Sequence, residues 1–522
     1  MIKEREQWLK TVVSDNTHGK RIYLLGSAEY GPVNEPILIK STVGFHSKFG
    51  TKGTLVSAFH AIKYTSKANQ VYVVKVTGEH AKCTLSVNNL FGEVTFDGLV
   101  LTSSQANEIF NDIKIVVNED SLMFRFPEDL NINDIIYKYA DYPYMDLLVE
   151  AINKDTKNRK SFIYAYHNVA SETPTQYAFY GVNPSMVYLE GGNSGLNYSK
   201  NELYSCLSSA YNILESHSID IIVPVDAFLD DMYPDMGEDS FQYNKTYYHH
   251  DRDYLTEDNF GRKRSFMNQL IDFCIIQLNF GMVTNGILGF NSNYQYWCRH
   301  LSEADDLAKM YQACIKYNLS VCNNAAYSFM VSVVGGDLMY NKGTIIDNGY
   351  LAYAALCANT LYLEGTTNIP ISKTLSIYHE FSEDILSNMA DSGIVVFRHS
   401  PLYNTPVVYD GITPCNNENF RLYCNVRMIQ ICISMMNQLF QYYIGHDMIR
   451  IINKNILEKD LDNLLKVLRA REIITAYKIK LEHNYIEGHI TVYLSLMTNY
   501  MVKAVTVCSV VDVTRTEGDY NE

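Results

Sequence analysis

The sequence predicts a multidomain protein of mixed α/β and α+β class. Three observations lead there: strand and helix patterns alternate through much of the chain, short strands interrupt that alternation over residues 82–155, and two period-two segments stand near the carboxyl end. At 522 residues the chain exceeds one ordinary domain and has material for two to four cores. The expected division is an extended arm at residues 1–20, a discontinuous α/β body at 21–81 and 156–380, and an inserted β-rich domain at 82–155. An α+β domain at 381–500 and a final strand at 501–522 follow.

The body opens with RIYLLGSAEYGPVNEPILIKS, two apolar runs separated by Gly31-Pro32 and Glu35-Pro36. Strand, turn and strand are expected, because proline sets the turn and cannot continue a central ladder. A helix near residues 55–64 and an apolar strand at 71–76 come next, an α/β rhythm. The runs CTLSV, GEVTF, IKIVV and LMFRF then mark the insertion. Beyond it the rhythm resumes with a glycine turn, a helix carrying Leu203, Leu207, Ala210 and Leu214, and a buried strand at 219–225. Ser199 is the expected N-cap of that helix, with Glu202 completing a capping box. Further helix and strand pairs follow at 266–290 and 304–334, and the small-residue apolar run at 348–363 predicts a helix packed on the sheet.

The last third carries two apolar stripes at helical spacing: Ile429, Cys432, Met436, Leu439 and Tyr443, then Ile456, Leu457, Leu461, Leu464, Leu465 and Leu468. Residues 472–496 alternate on both sides of residues 484–488, which predicts a β-hairpin. Ile490, Val492, Leu494 and Leu496 fall on one face of its second strand. A third alternating run occupies residues 501–513. An isolated hairpin is marginal in water, so the sheet calls for further strands or a covering helix. Both apolar stripes are wide enough to cover a sheet face.

At 47% hydrophobic and 19% charged the chain is globular. Its net charge of -15 argues against a general nucleic-acid surface, which needs a basic excess. Eleven cysteines without C-x-x-C spacing, and the lack of a secretory signal or a long apolar stretch, suit reduced thiols in a cytosolic fold. The charged first twenty residues are expected to be an arm of the mature chain. Tyrosine is abundant, 41 against two tryptophans, and suits extensive subunit contacts as well as large cores.

Candidate chemistry is sparse. Gly191 to Gly195, GGNSG, could cradle a phosphate or serve as a tight strand-to-helix turn, and no P-loop or dinucleotide fingerprint accompanies it. His249, His250, Asp251 and Asp253 look like a solvated loop more than metal ligands. His379 and Glu380 lack the second histidine of H-E-x-x-H, since Glu383 stands there. Ser382 with Glu383 and Asp384 reads as a helix cap. Cys415, Cys424 and Cys432 have no evident histidine to activate a thiolate. The basic residues Arg450, Lys454, Lys459, Lys466, Arg469 and Arg471 alternate with Glu458, Asp460 and Asp462, as either an ordinary solvated helix face or a contact strip for an acidic partner.

Several stretches together resemble the tail sheath proteins of contractile-tailed bacteriophages. GSAEYGPVNEPILIKSTVGFHSKFG from Gly26 is similar to the family's opening, and YLEGGNSG from Tyr188 to its middle-domain glycine turn. The ordered series DSGIVVFRHSP, TPVVYDGITP, RLYCNVRMIQICISMMNQLFQYYIG, hairpin and final strand is the most specific part. Residues 227–264 carry no matching motif.

The resemblance implies a virion protein, assembled in the host cytoplasm, whose copies stack as hexameric rings around a tail tube. The lattice contracts when the baseplate triggers it and drives the tube through the host envelope. Implied partners are copies of itself, the tail tube protein, and baseplate and neck or tail terminator proteins. No catalytic residue, cofactor, metal, membrane insertion or direct nucleic-acid contact is implied. Terminal arms would cross between subunits and add strands to the hairpin sheet. That places intersubunit strand exchange at Ile479, Leu481, Ile490, Val492 and Leu494 on the acceptor and Val505 and Val507 on the donor. Tube contact would fall to Arg450, Lys454, Lys459, Lys466 and Arg469 through screened charge pairs. Alternatives are the sheath of another contractile injection machine, secretion-system or bacteriocin-like, and an α/β nucleotide-binding enzyme using the glycine turn.

Overall fold

The computed structural model describes residues 21–65, 70–179, 181–229, 264–290, 304–340, 344–346, 349–360, 364–371, 375–378, 380–400, 402–444, 455–484 and 489–498. The expected arms at 1–20 and 501–522, with Val505 and Val507, lie outside the described residues, as do His249, His250, Asp251, Asp253, His379, Arg450 and Lys454. The chain forms two compact units, Met1–Ile444 and Gly445–Glu522.

The first unit is built on a seven-stranded sheet. Its order is Ile394–Val395, Val331–Val334, Asn285–Gly289, Ile221–Pro224, Arg21–Gly26, Gln70–Lys75 and Ile37–Ile39. Neighbours run parallel except the last pair. Ile22, Leu24, Val71, Val73, Ile221 and Val223 join one core cluster with the helices Thr54–Thr65 and Gly349–Asn359. Tyr23, Leu25, Val74, Ile222 and Leu288 join a second, with the helices Lys200–Leu214, Phe266–Asn279 and Ala304–Val321. Helices on both faces explain why these strands read as nearly unbroken apolar runs rather than alternating ones. In the helix Gly349–Asn359 every residue from Gly349 to Ala358 is buried. Its approach needs glycine, since a Cβ on Gly289 would stand 2.4 Å from the Tyr350 ring.

The expected capping box is present: the Ser199 hydroxyl accepts from the Glu202 amide at 3.2 Å, and the Glu202 carboxylate accepts from the Ser199 amide at 2.7 Å. Ser382 occupies an N-cap position with extended backbone, but its side chain makes no capping bond.

A separate core runs from Ala81 to Leu189. It lies between a three-stranded sheet, Lys82–Asn88, Val94–Ser103 and Ile163–His167, and a four-stranded sheet, Met186–Tyr188, Lys114–Val117, Ser121–Arg125 and Ile135–Lys138. Each sheet takes one strand from beyond residue 155. This β-rich block is fastened to the body by buried polar bonds. The fully buried Lys75 ammonium donates to the Ala106 carbonyl at 2.6 Å, and the Asn107 amide to the Glu29 carbonyl at 2.8 Å. Burial pulls the Lys75 pKa down to about 8.

The long helix Tyr423–Tyr443 also belongs to the first unit. It buries Cys432, Met436 and Leu439 of the expected stripe, with Ile429 and Tyr443 half-buried. Its buried Arg427 donates to the Cys357 and Thr360 carbonyls at the end of Gly349–Asn359, where a cation suits the helix terminus. Of the two helices expected over the hairpin, only Ile456–Ala470 shares its unit.

Candidate functional site

The second unit consists, among the described residues, of that helix and one hairpin, Ile474–Asn484 with His489–Thr498. The strands pair antiparallel with Ile479 opposite Leu494, Leu481 opposite Val492 and His483 opposite Ile490; a bulge lies between Ile474 and Ala476. The period-two expectation holds over residues 477–482 and 490–497. Tyr477, Ile479, Leu481, Ile490, Val492, Leu494 and Leu496 are half-buried, while Lys478, Lys480, Glu482, Thr491, Tyr493, Ser495 and Met497 are exposed.

The helix covers that apolar face with Leu457, Leu461, Leu464, Leu465 and Leu468, all buried. Fifteen helical residues span about 22 Å, whereas an eleven-residue strand spans about 37 Å. Part of the apolar face therefore runs beyond the helix. At one end lies a groove of about 290 Å³ lined by Leu457, Glu458, Ile479, Leu481, His483 and Ile490. Sequence reasoning missed the polar clamp that sets the helix on the strand. The Tyr477 hydroxyl donates to Asp462 at 2.7 Å and the Lys466 ammonium to the same carboxylate at 2.6 Å. Together they hold the Asp462 pKa below its ordinary value, Lys466 first. The signal was an acidic residue two positions before the buried pair Leu464 and Leu465, counted only as surface charge.

The two strands pair with each other and, among the described residues, with nothing else. Each outer edge carries a row of backbone N–H and C=O groups ten or eleven residues long. Such an edge is a template for another strand.

On the helix, Lys459, Lys466 and Arg469 are exposed, and Lys459 and Lys466, two turns apart, share the face opposite the leucines. Lys466 is engaged with Asp462. Glu458, Asp460 and Asp462 interleave with these cations, so the described face carries mixed charge.

The described part of the candidate chemistry is engaged within the fold. In the glycine turn, the Gly192 amide donates to Asn111 at 2.7 Å, Asn193 to the Glu79 carbonyl at 3.0 Å, Ser194 to the Glu108 carboxylate at 2.9 Å and Gly195 to Asn193 at 2.7 Å. The turn already holds a carboxylate, and it sits ahead of Ser199 rather than at the helix start. A phosphate cradle needs those amides unspent.

In a doubly wound sheet the ligand crevice lies at the carboxyl ends of the strands where the order reverses, here Arg21–Gly26 and Ile221–Pro224. Own side chains fill it. The Tyr198 hydroxyl donates to Asp226 at 2.6 Å, the Lys200 ammonium to the Asp226 carbonyl at 2.6 Å, and Ser27 and Thr54 join hydroxyls at 3.1 Å. Burial, then the Asp226 charge, raises the Tyr198 pKa.

Cys415, Cys424 and Cys432 are buried thiols, and burial pushes Cys432 up to about 12, away from thiolate chemistry. Among the described residues no group of three or more His, Cys, Asp or Glu is placed to hold a metal, and no helix is long and apolar enough to cross a membrane.

No family model and no curated protein matches the sequence. Solved structures do. One is a sheath tail protein of Listeria innocua, at 12% identity and TM-score 0.49, covering 94% of this chain and 98% of that one. Sheath tail proteins and contractile injection system sheaths are among the structures this chain is similar to. A sheath tail protein of Desulfitobacterium hafniense is similar at 12% identity and TM-score 0.46, covering 93% and 97%. The helical sheath of the anti-feeding prophage, in its contracted state, is similar at 8% identity and TM-score 0.49, covering 95% and 94%.

Proposed function

We propose that this chain is a structural subunit of a contractile tail sheath, polymerising as hexameric rings around a tube and shortening to drive that tube through an envelope. The observation that carries the proposal is the hairpin Ile474–Asn484 with His489–Thr498: a long two-stranded sheet, under-covered by its single helix, whose edges find no further strand among the described residues. An added strand pairs an open edge, and the alternating run at residues 501–513 has the pattern to supply one. The ordered motifs from Gly26 to the final strand support the same assignment.

In this proposal Ile479, Leu481, Ile490, Val492 and Leu494 lie along the acceptor strands. Val505 and Val507 of one copy extend the sheet of another, residues 1–20 form the second arm, and Arg450, Lys454, Lys459, Lys466 and Arg469 hold the tube through screened pairs weak enough to break together. Main-chain bonds keep neighbours joined while the linkers bend. Contraction then releases the free energy of extra intersubunit burial, without nucleotide hydrolysis. A phage tail and another contractile injection machine share this physics and differ in their neighbouring genes.

Electron microscopy of the purified full chain tests the proposal. Tubular or ring polymers are expected, and deletion of residues 1–20 should leave a folded monomer that does not polymerise. A stable monomer at high concentration that binds ATP or NAD tightly would overturn it.

A further inference from the structure

The β-rich block carries an apolar feature that its own fold does not use. Between the strands Lys82–Asn88 and Val94–Ser103 the chain turns through Leu90, Phe91 and Gly92. Asn89 locks the turn: its side-chain oxygen accepts from the Phe91 and Glu93 amides, each at 2.9 Å, and its carbonyl accepts from Gly92 at 3.0 Å. Gly92 takes φ +79°, which a side chain would resist. The turn is therefore shaped in advance of any contact. On it Phe91 is 88% exposed and Phe96 77%, with Leu90 and Val94 roughly half exposed. Four apolar side chains in one finger make a patch on the order of 300 Å², within the range of the largest apolar patch on an ordinary monomer, which is often functional.

The same unit has an open groove of about 930 Å³ on another of its elements, near the upper end of volumes that bury a drug-sized molecule. Ile315, Leu319, Ala326, Pro414 and Phe420 line it, and the Phe420 ring is stacked on Phe329 at 4.6 Å, so an aromatic wall faces the opening. Lys316 is the charged residue of its described lining, and it is exposed. The finger carries the opposite sign, with Glu93 and Asp97 exposed beside the phenylalanines. Acidic flanks disfavour an anionic lipid surface or a nucleic acid.

We infer that the finger of one copy docks in this groove of a second copy, Phe91 against Phe420 with Glu93 or Asp97 toward Lys316. A finger and a groove are different surfaces, so the contact is heterologous: it propagates from copy to copy into a ring or a filament instead of closing a dimer. This rests on the self-assembly proposed above and adds an interface independent of strand exchange.

The test places a photoreactive benzoyl-phenylalanine at position 91 of the full chain, an aromatic for an aromatic. Polymers are irradiated and the joined peptides identified by mass spectrometry. Crosslinks to residues 312–328 or 414–420 of another copy are expected. The double variant F91S/F96S, on exposed positions, should keep the wild-type unfolding temperature and raise the concentration needed to polymerise at least tenfold. Polymers that crosslink elsewhere or not at all, or an unchanged polymerisation threshold in F91S/F96S, overturn the docking while leaving the sheath assignment intact. Absence of any polymer overturns both.

Discussion

Lys75→Met isolates one buried charge. Lys75 has no solvent exposure and its pKa falls from 10.5 to about 8, burial being the larger cause and Glu108 opposing it. At about 1.4 kcal/mol per pKa unit, keeping this ammonium buried at pH 7 costs roughly 3 kcal/mol. The methionine removes that cost and leaves the Ala106 carbonyl without its donor, a loss of about 1–3 kcal/mol. The variant should thus be within about 2 kcal/mol of wild type, or more stable, at pH 7.

The sign of the pH dependence is fixed by where the protons sit. Between pH 8 and 10.5 the folded wild type has released the Lys75 proton while the unfolded chain still binds it, so the wild type gains stability as pH rises. By pH 10 the gain approaches 3 kcal/mol, and the variant lacks it. Thermal unfolding of both proteins from pH 7 to 10 reads this as a difference, in which buried tyrosines and thiols cancel. Wild type should gain on the variant steadily above pH 8. A difference that does not change with pH would refute the assignment of Lys75 as a charged, buried tie.

Two further substitutions probe one helix in each unit. Leu464→Ala empties a fully buried position between the helix Ile456–Ala470 and the hairpin, and should cost the second unit about 2–5 kcal/mol, read as lost amide-exchange protection in residues 456–498 with residues 21–290 unchanged. Ser199→Ala removes the acceptor for the Glu202 amide and should cost about 0.5–2 kcal/mol, measured by denaturant unfolding; Ser199→Asp should recover most of it.

The hairpin shows how far local pattern reaches. Its alternation announced which side chains share a face, and the structure puts Tyr477, Ile479, Leu481, Ile490, Val492, Leu494 and Leu496 together there. It could not announce how much of that face a fifteen-residue helix would cover, because period reports the direction of a side chain and not what lies against it. The same limit applied to the stripe in Tyr423–Tyr443. Its spacing gave the helix, and its place in the first unit came from contacts such as Arg427 with Cys357, seventy residues away. The switch point was equally silent in sequence: Tyr198, Asp226, Ser27 and Thr54 are ordinary residues until the sheet order brings them together.

By itself the sequence determined the elements: strands buried on two faces where apolar runs are unbroken, a helix started by Ser199 and Glu202, a hairpin where residues alternate. These depend on neighbours within a few positions. The tertiary structure decided the strand order, the burial of Lys75, the closing of the crevice and the Asp462 clamp. Such features join groups as distant as Arg21 and Asp220, bonded at 2.8 Å across 199 positions, and only the packed chain brings them within reach.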